Sequence, residues 1–416
     1  MFSFIETFNY LSTSFILFII IGYLIFLFSG EGLRKYIVLL LNITFLLNIE
    51  RWPALTFYFL LTFLVYYLGL LSSRKKRFRR LFLYLGCVLV ILVFFIFRVE
   101  GIRSRIDVYL NIMTYFKNDF LFMVGYSYFM FKSINYLTSA YVGKIKTFNI
   151  VTFFNFVFFF PAFTSGPIDR YNNFQNEKFD DSSKITPELF ISGLQRILTG
   201  IIKKYIIADL IRQYSLIAFS GPENIQNVLG AWIGTFCYFF YIYIDFSAYT
   251  DIAIGIGLLF GYKLPENFNY PLIKSNLIKF WENWNISLTS WIRDHIFVPL
   301  NWQFLKFTGY KENSILSLIN YLVTMGIIGL WHSFSFPFLL FGIINGLGLF
   351  VTQKFISFRK YFFSAEFNQR FEKSLVTKLL GIMFVNVFLS LSLILFRYDL
   401  NNAVKLLKIL FGGELS

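Results

Sequence analysis

Near-neutral acid–base chemistry in this chain of 416 residues has two imidazoles to draw on, His295 and His332. His332 ends the run TMGIIGLWH, with Trp331 before it and Ser333 and Ser335 after it in otherwise apolar surroundings. An ionisable side chain inside a membrane-type segment is costly to keep, so it calls for a function. Imidazole is also the side chain best suited to general-base work near neutral pH. A neutral histidine hydrogen-bonded between helices is the competing reading, and composition does not choose between them. His295 lies in WIRDHIFVPL beside Arg293 and Asp294, where an interfacial histidine needs no catalytic role. Asn285, in FWENWNISLTSW, carries a carboxamide that donates and accepts at once. Such a group can orient an imidazole or steady an oxyanion. Taken alone it reads as an ordinary solvated helix residue.

Other chemistries are not written in the residues. Cys87 and Cys237 sit in apolar runs with no CxxC spacing, and neither histidine has a cysteine or histidine neighbour, so no metal site is expected. There is no Gly-x-Ser-x-Gly elbow, P-loop or dinucleotide fingerprint. GIGLLFG (255–261) lies in an apolar run, where small residues permit close helix packing.

The elements that must hold these groups are membrane spans. The chain is 57% hydrophobic and 15% charged, against roughly a quarter charged for a soluble domain. About 20 apolar residues cross a bilayer as a helix. Runs of that kind fall near 13–29, 36–50, 53–72, 81–98, 119–141, 149–164, 192–216, 227–261, 314–331, 336–353 and 376–396. The expected fold is an all-α membrane protein of about eleven transmembrane or re-entrant helices, as one domain over 1–416 with no soluble domain visible at either end. Glu6, with no early Lys or Arg, argues against a cleaved signal peptide and for a retained first span. The net charge of +15 is read by location: Arg74, Lys75, Lys76, Arg77, Arg79 and Arg80 stand between two apolar runs. That context points to a cytoplasmic loop facing anionic lipid rather than to nucleic acid, and tracing back places the N-terminus outside. Residues 165–190 read as a loop ending in a helix start at Thr186–Pro187–Glu188. Trp281, Trp284, Leu288 and Trp291 recur on one face of an expected helix, with Glu282, Asn283, Arg293 and Asp294 opposite. No internal repeat is visible.

Four ordered stretches resemble the membrane-bound O-acyltransferase family, in its bacterial cell-envelope branch that O-acetylates alginate or transfers D-alanine to teichoic acid. They are FFFPAFTSGPIDRYNNF (158–174), YIDFSAYTDIAIGIGLLFGYKLPENFNYPL (243–272), FWENWNISLTSWIRDHIFVPL (280–300) and GLWHSFSFPFLLFG (329–342). GYSYFMFKSINYL (125–137) is similar too, while 1–110 match only as generic spans. The motif-bearing core is thus 120–345, followed by further spans over 346–416. The resemblance implies a bundle around a trans-bilayer tunnel, with His332 at the position of the family's catalytic histidine. Asn285 takes the place of its preceding polar partner, a histidine in the bacterial branch and an asparagine in many eukaryotic members. That departure puts a two-histidine mechanism in doubt. His295 falls where bacterial relatives have tyrosine and inherits no role. The implied reaction passes an acyl group from a thioester, acetyl-CoA or an acyl carrier protein, to a hydroxyl, with His332 taking the hydroxyl proton and Asn285 orienting the histidine or the acyl group. No bound cofactor is implied. Trp281, Trp284, Trp291 and Trp331 are expected to line the passage with Ser287, and Arg293 and Asp294 to stand nearer an aqueous mouth. Asp245, Tyr249 and Asp251 match family positions where a structural network is as good a reading as a substrate role, and Asp169 and Arg170 are further substrate candidates.

The expected protein sits multi-pass in a bacterial cytoplasmic membrane, takes its donor from the cytoplasmic side, and does not bind nucleic acid. Its acceptor is an exported or surface polysaccharide, reached directly or through a downstream extracytoplasmic acyltransferase. D-alanyl transfer to teichoic acid is the alternative within the family. A multi-span transporter or channel is the alternative from another class, which the ordered motifs and missing repeat disfavour.

Overall fold

The computed structural model describes residues 12–50, 52–98, 124–176, 186–311 and 313–413. Helices dominate, and among the described residues the only β pairing is an isolated antiparallel bridge between Phe268 and Trp284. In chain order the first helices are α1 (Thr13–Phe28), α2 (Glu31–Ile49), α3 (Trp52–Arg74), α4 (Arg79–Arg98), α5 (Tyr126–Tyr141), α6 (Ile150–Phe158), α7 (Tyr171–Asn176) and α8 (Pro187–Ile202). Then come α9 (Val228–Leu259), α10 (Leu277–Trp281), α11 (Ile286–Ile292), α12 (Val298–Phe307), α13 (Ser314–His332) and α14 (Phe336–Phe362). The last four are α15 (Ala365–Lys373), α16 (Leu375–Ser392), α17 (Ile394–Arg397) and α18 (Leu400–Leu410).

Among the described residues, seven helical stretches are long and apolar enough to cross a membrane: Glu31–Ile49, Ala54–Arg74, Arg79–Ile96, Val228–Leu259, Ser314–His332, Phe336–Phe362 and Leu375–Arg397. The basic run 74–80 spans the junction of the second and third of these, from Arg74 at the end of one to Arg79 and Arg80 at the start of the next. Thr13–Phe28 and Ile150–Ala162 are apolar but shorter. The run at 149–164 stops at Phe159, whose backbone leaves the helical region before Pro161. The run at 192–216 passes through a wider π turn at Lys203–Ala208. The run at 119–141 is described only from Val124 onward. By contrast the run at 227–261 forms one unbroken helix, α9. Pro187 starts α8, with the Thr186 hydroxyl accepting from the Leu189 N–H at 3.3 Å, as the sequence signal indicates.

The chain forms two compact units, residues 1–199 with 249–265, and residues 200–248 with 266–416. In the first, α3, α4 and α5 pack together and α2 packs on α6. Its core is the phenylalanine run that leads into the first family-like stretch: Phe153, Phe156, Phe158, Phe159 and Phe163 are buried. Edge-to-face ring pairs link it to Tyr58 and Tyr171, an arrangement aromatic quadrupoles favour. Two buried asparagines are paired across it: Asn42 Nδ2 donates to Asn155 Oδ1 at 3.1 Å, and Asn42 Oδ1 accepts from the Phe160 N–H at 2.9 Å. Small residues bring α8 and the end of α9 backbone to backbone, since a Cβ on Gly255 would lie 2.6 Å from the Gly193 carbonyl.

Candidate active site

In the second unit, His332 is placed by a hairpin of two long helices. At Gly329 a Cβ would run into the Phe338 carbonyl, and at Gly342 into the Met325 carbonyl, so glycine lets α13 and α14 touch. His332 is the last residue of α13; Ser333 is extended, and Pro337 near the start of α14 restarts the chain. The half-buried imidazole lies among aromatic rings: Trp331 at 4.5 Å, Phe396 at 4.9 Å and Phe338 at 6.3 Å between centroids. Phe341 packs on Phe396 at 4.6 Å and reaches Trp281 at 6.5 Å, so Trp281 borders the same cluster. The Trp281 indole N–H is buried without a hydrogen-bond acceptor among the described residues.

Asn285 is held by its backbone. Its φ of 44° and ψ of 53° lie in the left-handed region, which asparagine and histidine tolerate better than most residues. That turn corrects the expected continuous helix carrying Trp281, Trp284, Leu288 and Trp291: Trp281 ends α10, and Leu288 and Trp291 belong to α11. The Asn285 side chain does not cap α11. A strap from the preceding loop fixes the turn. Asn267, fully buried, accepts through Oδ1 from Ser287 Oγ at 2.6 Å, and its carbonyl accepts from the Ile286 N–H at 2.9 Å.

The remaining candidates fall into local networks. Trp284 stacks in a cluster with Phe239, Tyr243, Phe268 and Phe280. Trp291 is buried and stacks on His295 at 4.3 Å, and the His295 Nδ1 lies 2.9 Å from the Trp291 carbonyl. Arg293 and Asp294 pair at 3.1 Å on an exposed surface, where such a pair contributes little. Asp245 is buried 2.5 Å from Lys204 Nζ, so it is engaged in an ion pair. Removing one partner of such a pair strands a buried charge.

Tyr249, Asp169 and Arg170 belong to the first unit. The Tyr249 hydroxyl meets Thr164 Oγ1 at 2.9 Å and the Ser165 N–H at 3.2 Å. Asp251 pairs with Arg196 at 2.9 Å. Asp169 accepts from the Tyr262 hydroxyl, from the Arg170 N–H at 2.7 Å and from Asn173 at 3.3 Å. Burial nevertheless pushes its carboxyl above the usual range, against those hydrogen bonds and the nearby Lys132. Sequence reasoning missed Lys204, Arg196, Asn267 and Tyr262. Lys204 was visible as a cation in an apolar run and Asn267 as part of PENFNYP, whereas Tyr262 carried no signal.

The model of the membrane-bound O-acyltransferase family matches residues 11–394. A probable alginate O-acetylase of Pseudomonas aeruginosa is 30% identical over 338 residues, covering 78% of this chain and 62% of its own length. The teichoic acid D-alanyltransferase of Bacillus subtilis is 30% identical over 226 residues, 54% of this chain and 57% of its own. A peptidoglycan O-acetyltransferase of Helicobacter pylori is 29% identical over 265 residues, 62% and 46% respectively. The chain thus spans about half to two thirds of the curated relatives it matches.

Proposed function

Because this chain belongs to the membrane-bound O-acyltransferase family, we propose that it moves acetyl groups from an activated cytoplasmic thioester toward hydroxyls of an exported or surface polysaccharide. Residues 1–416 act together in this reading, multi-pass in a bacterial cytoplasmic membrane. The donor is acetyl-CoA or an acyl carrier protein, and the acceptor is reached directly or through an extracytoplasmic acyltransferase. The carrying observation is His332: an imidazole at the end of an apolar helix, set among aromatic rings by a glycine-lined hairpin. Acetyl is favoured over D-alanyl because similarity to an alginate acetylase runs over 338 residues at 30% identity, against 226 at 30% and 296 at 27% for two alanyltransferases.

The acceptor oxygen attacks the thioester carbonyl carbon as its proton passes to a nitrogen of neutral His332. The carbon–sulfur bond then breaks, and the proton leaves with the thiolate as the free thiol. Asn285 orients the imidazole or the acyl carbonyl, and holding both reactants in one site contributes through proximity. Trp281, Trp284, Trp291 and Trp331 with Ser287 line the path; Arg293 and Asp294 stand at its mouth.

Mild alkali releases ester-linked acyl groups from the envelope, and the comparison is wild type against His332→Ala at matched protein level. We expect released acetate to fall about 100-fold or more, as for loss of a general base. Unchanged acetate and D-alanine would remove His332 from the chemistry. The match to the Bacillus subtilis protein supports a second reading, D-alanyl transfer to teichoic acid; D-alanine lost with acetate intact would select it.

A further inference from the structure

Far along α13 from His332, the same two helices border a cavity that the proposed chemistry does not use. It has a volume of about 200 Å³ and lies between α12, the turn after it, the first turn of α13 and the middle of α14. Its walls carry two lysines, Lys311 and Lys354, and the polar side chains of Asn301, Asn313, Ser317 and Gln353. Lys354 Nζ donates to Ser314 Oγ at 2.7 Å and keeps two further N–H donors. The cavity sits at the N-terminus of a 19-residue helix, whose dipole adds positive potential. Asn313 Oδ1 already accepts from the Ile315 and Leu316 N–H groups, so the lysines and not the open amides supply the attraction.

The level of this cavity is marked by its neighbours. Trp302, Phe307 and Tyr310 are all more than half exposed around the same turn, and Trp302 packs edge-on against Tyr310 at 5.7 Å. Exposed tryptophan and tyrosine at the end of an apolar span is the pattern of the membrane–water interface, the depth of lipid headgroups. Lys306 lies over the Trp302 ring and does not line the cavity.

We propose that this cavity binds the phosphate of an anionic lipid headgroup, held by Lys311 and Lys354, with the side-chain amides of Asn301, Asn313 and Gln353 donating to the headgroup oxygens; the Ser317 hydroxyl is already engaged with Gln353 Oε1 at 3.2 Å. A phosphate at this depth meets two cations and polar side chains beside apolar ones (Phe297, Phe304, Leu305 and Leu316), whereas an uncharged headgroup gains nothing from the two charges.

The test uses the full chain, delipidated in a neutral detergent and titrated with phosphatidylglycerol, the phosphate-free diacylglycerol or inorganic phosphate, with bound lipid read by native mass spectrometry and protection by thermal shift. Phosphatidylglycerol should bind and protect while diacylglycerol does not. Lys311→Gln and Lys354→Gln should each weaken binding about fivefold, and Lys306→Gln should not. Equal loss in Lys306→Gln, or no loss in the Lys311→Gln/Lys354→Gln double variant, would overturn the site. Saturating protection by inorganic phosphate that competes out the lipid would keep the phosphate chemistry but assign the site to a soluble anion.

Discussion

Asn285 answers to two demands, one from the backbone and one from the proposed reaction, and substitutions can separate them. Its φ of 44° penalises residues with an ordinary Cβ, by about 1–2 kcal/mol in the left-handed region, but not glycine. Asn285→Gly is therefore expected to keep the wild-type melting temperature while losing the carboxamide. If that carboxamide serves the reaction, kcat should drop by about tenfold or more in the glycine variant. Asn285→Ala should lose both stability and activity. Asn285→His should retain the fold, since histidine also tolerates this conformation. Melting temperature and acyl transfer measured side by side separate the two: full activity in Asn285→Gly would make Asn285 a purely conformational residue.

At the scale of elements, the α13–α14 hairpin is what aims His332, and it rests on the absence of two side chains. Gly342→Ala places a methyl on the Met325 carbonyl, so the helices must part. The expected cost is about 1–3 kcal/mol, as for overpacking elsewhere, together with reduced transfer because His332 moves with its helix. Gly32→Ala in α2, where nothing lies within 4 Å, serves as the control and should leave both quantities unchanged or slightly improved. A Gly342→Ala protein with wild-type melting temperature and activity would refute this account of the hairpin. Spans such as 314–331 and 336–353 were legible because hydropathy is a local property of sequence, and α13 and α14 follow them. His332 was legible for a related reason, being an ionisable group in an oily run. The break at Asn285 was not, because four residues at helical spacing look continuous until one φ turns positive. Nor were the partners Lys204–Asp245, Arg196–Asp251 and Asn267–Ser287, separated by 41, 55 and 20 positions and joined by tertiary packing alone.

The stability of the molecule should depend on pH through acids that folding removes from water. Glu50, just beyond α2, accepts from the Val124 N–H at 2.6 Å, while the Tyr58 hydroxyl donates to the Val124 carbonyl at 2.7 Å. Burial pushes the Glu50 carboxyl from 4.5 up to about 7, and the hydrogen bond from Val124 only partly opposes it. Asp169 is shifted the same way by the same cause. A raised acid binds its proton more tightly folded than unfolded, so its contribution is complete below the unfolded value and is lost as pH rises through the folded one. For Glu50 that window runs from about 4.5 to about 7. Allowing for partial exposure, the loss is on the order of 2 kcal/mol. The detergent-solubilised protein should therefore melt at a higher temperature near pH 5.5 than near pH 8. Glu50→Gln, which keeps an acceptor for Val124 without a titrating proton, should flatten that part of the profile. An identical profile in wild type and Glu50→Gln would show that Glu50 ionises freely in the folded protein, and that the pH response belongs to Asp169 or to other groups.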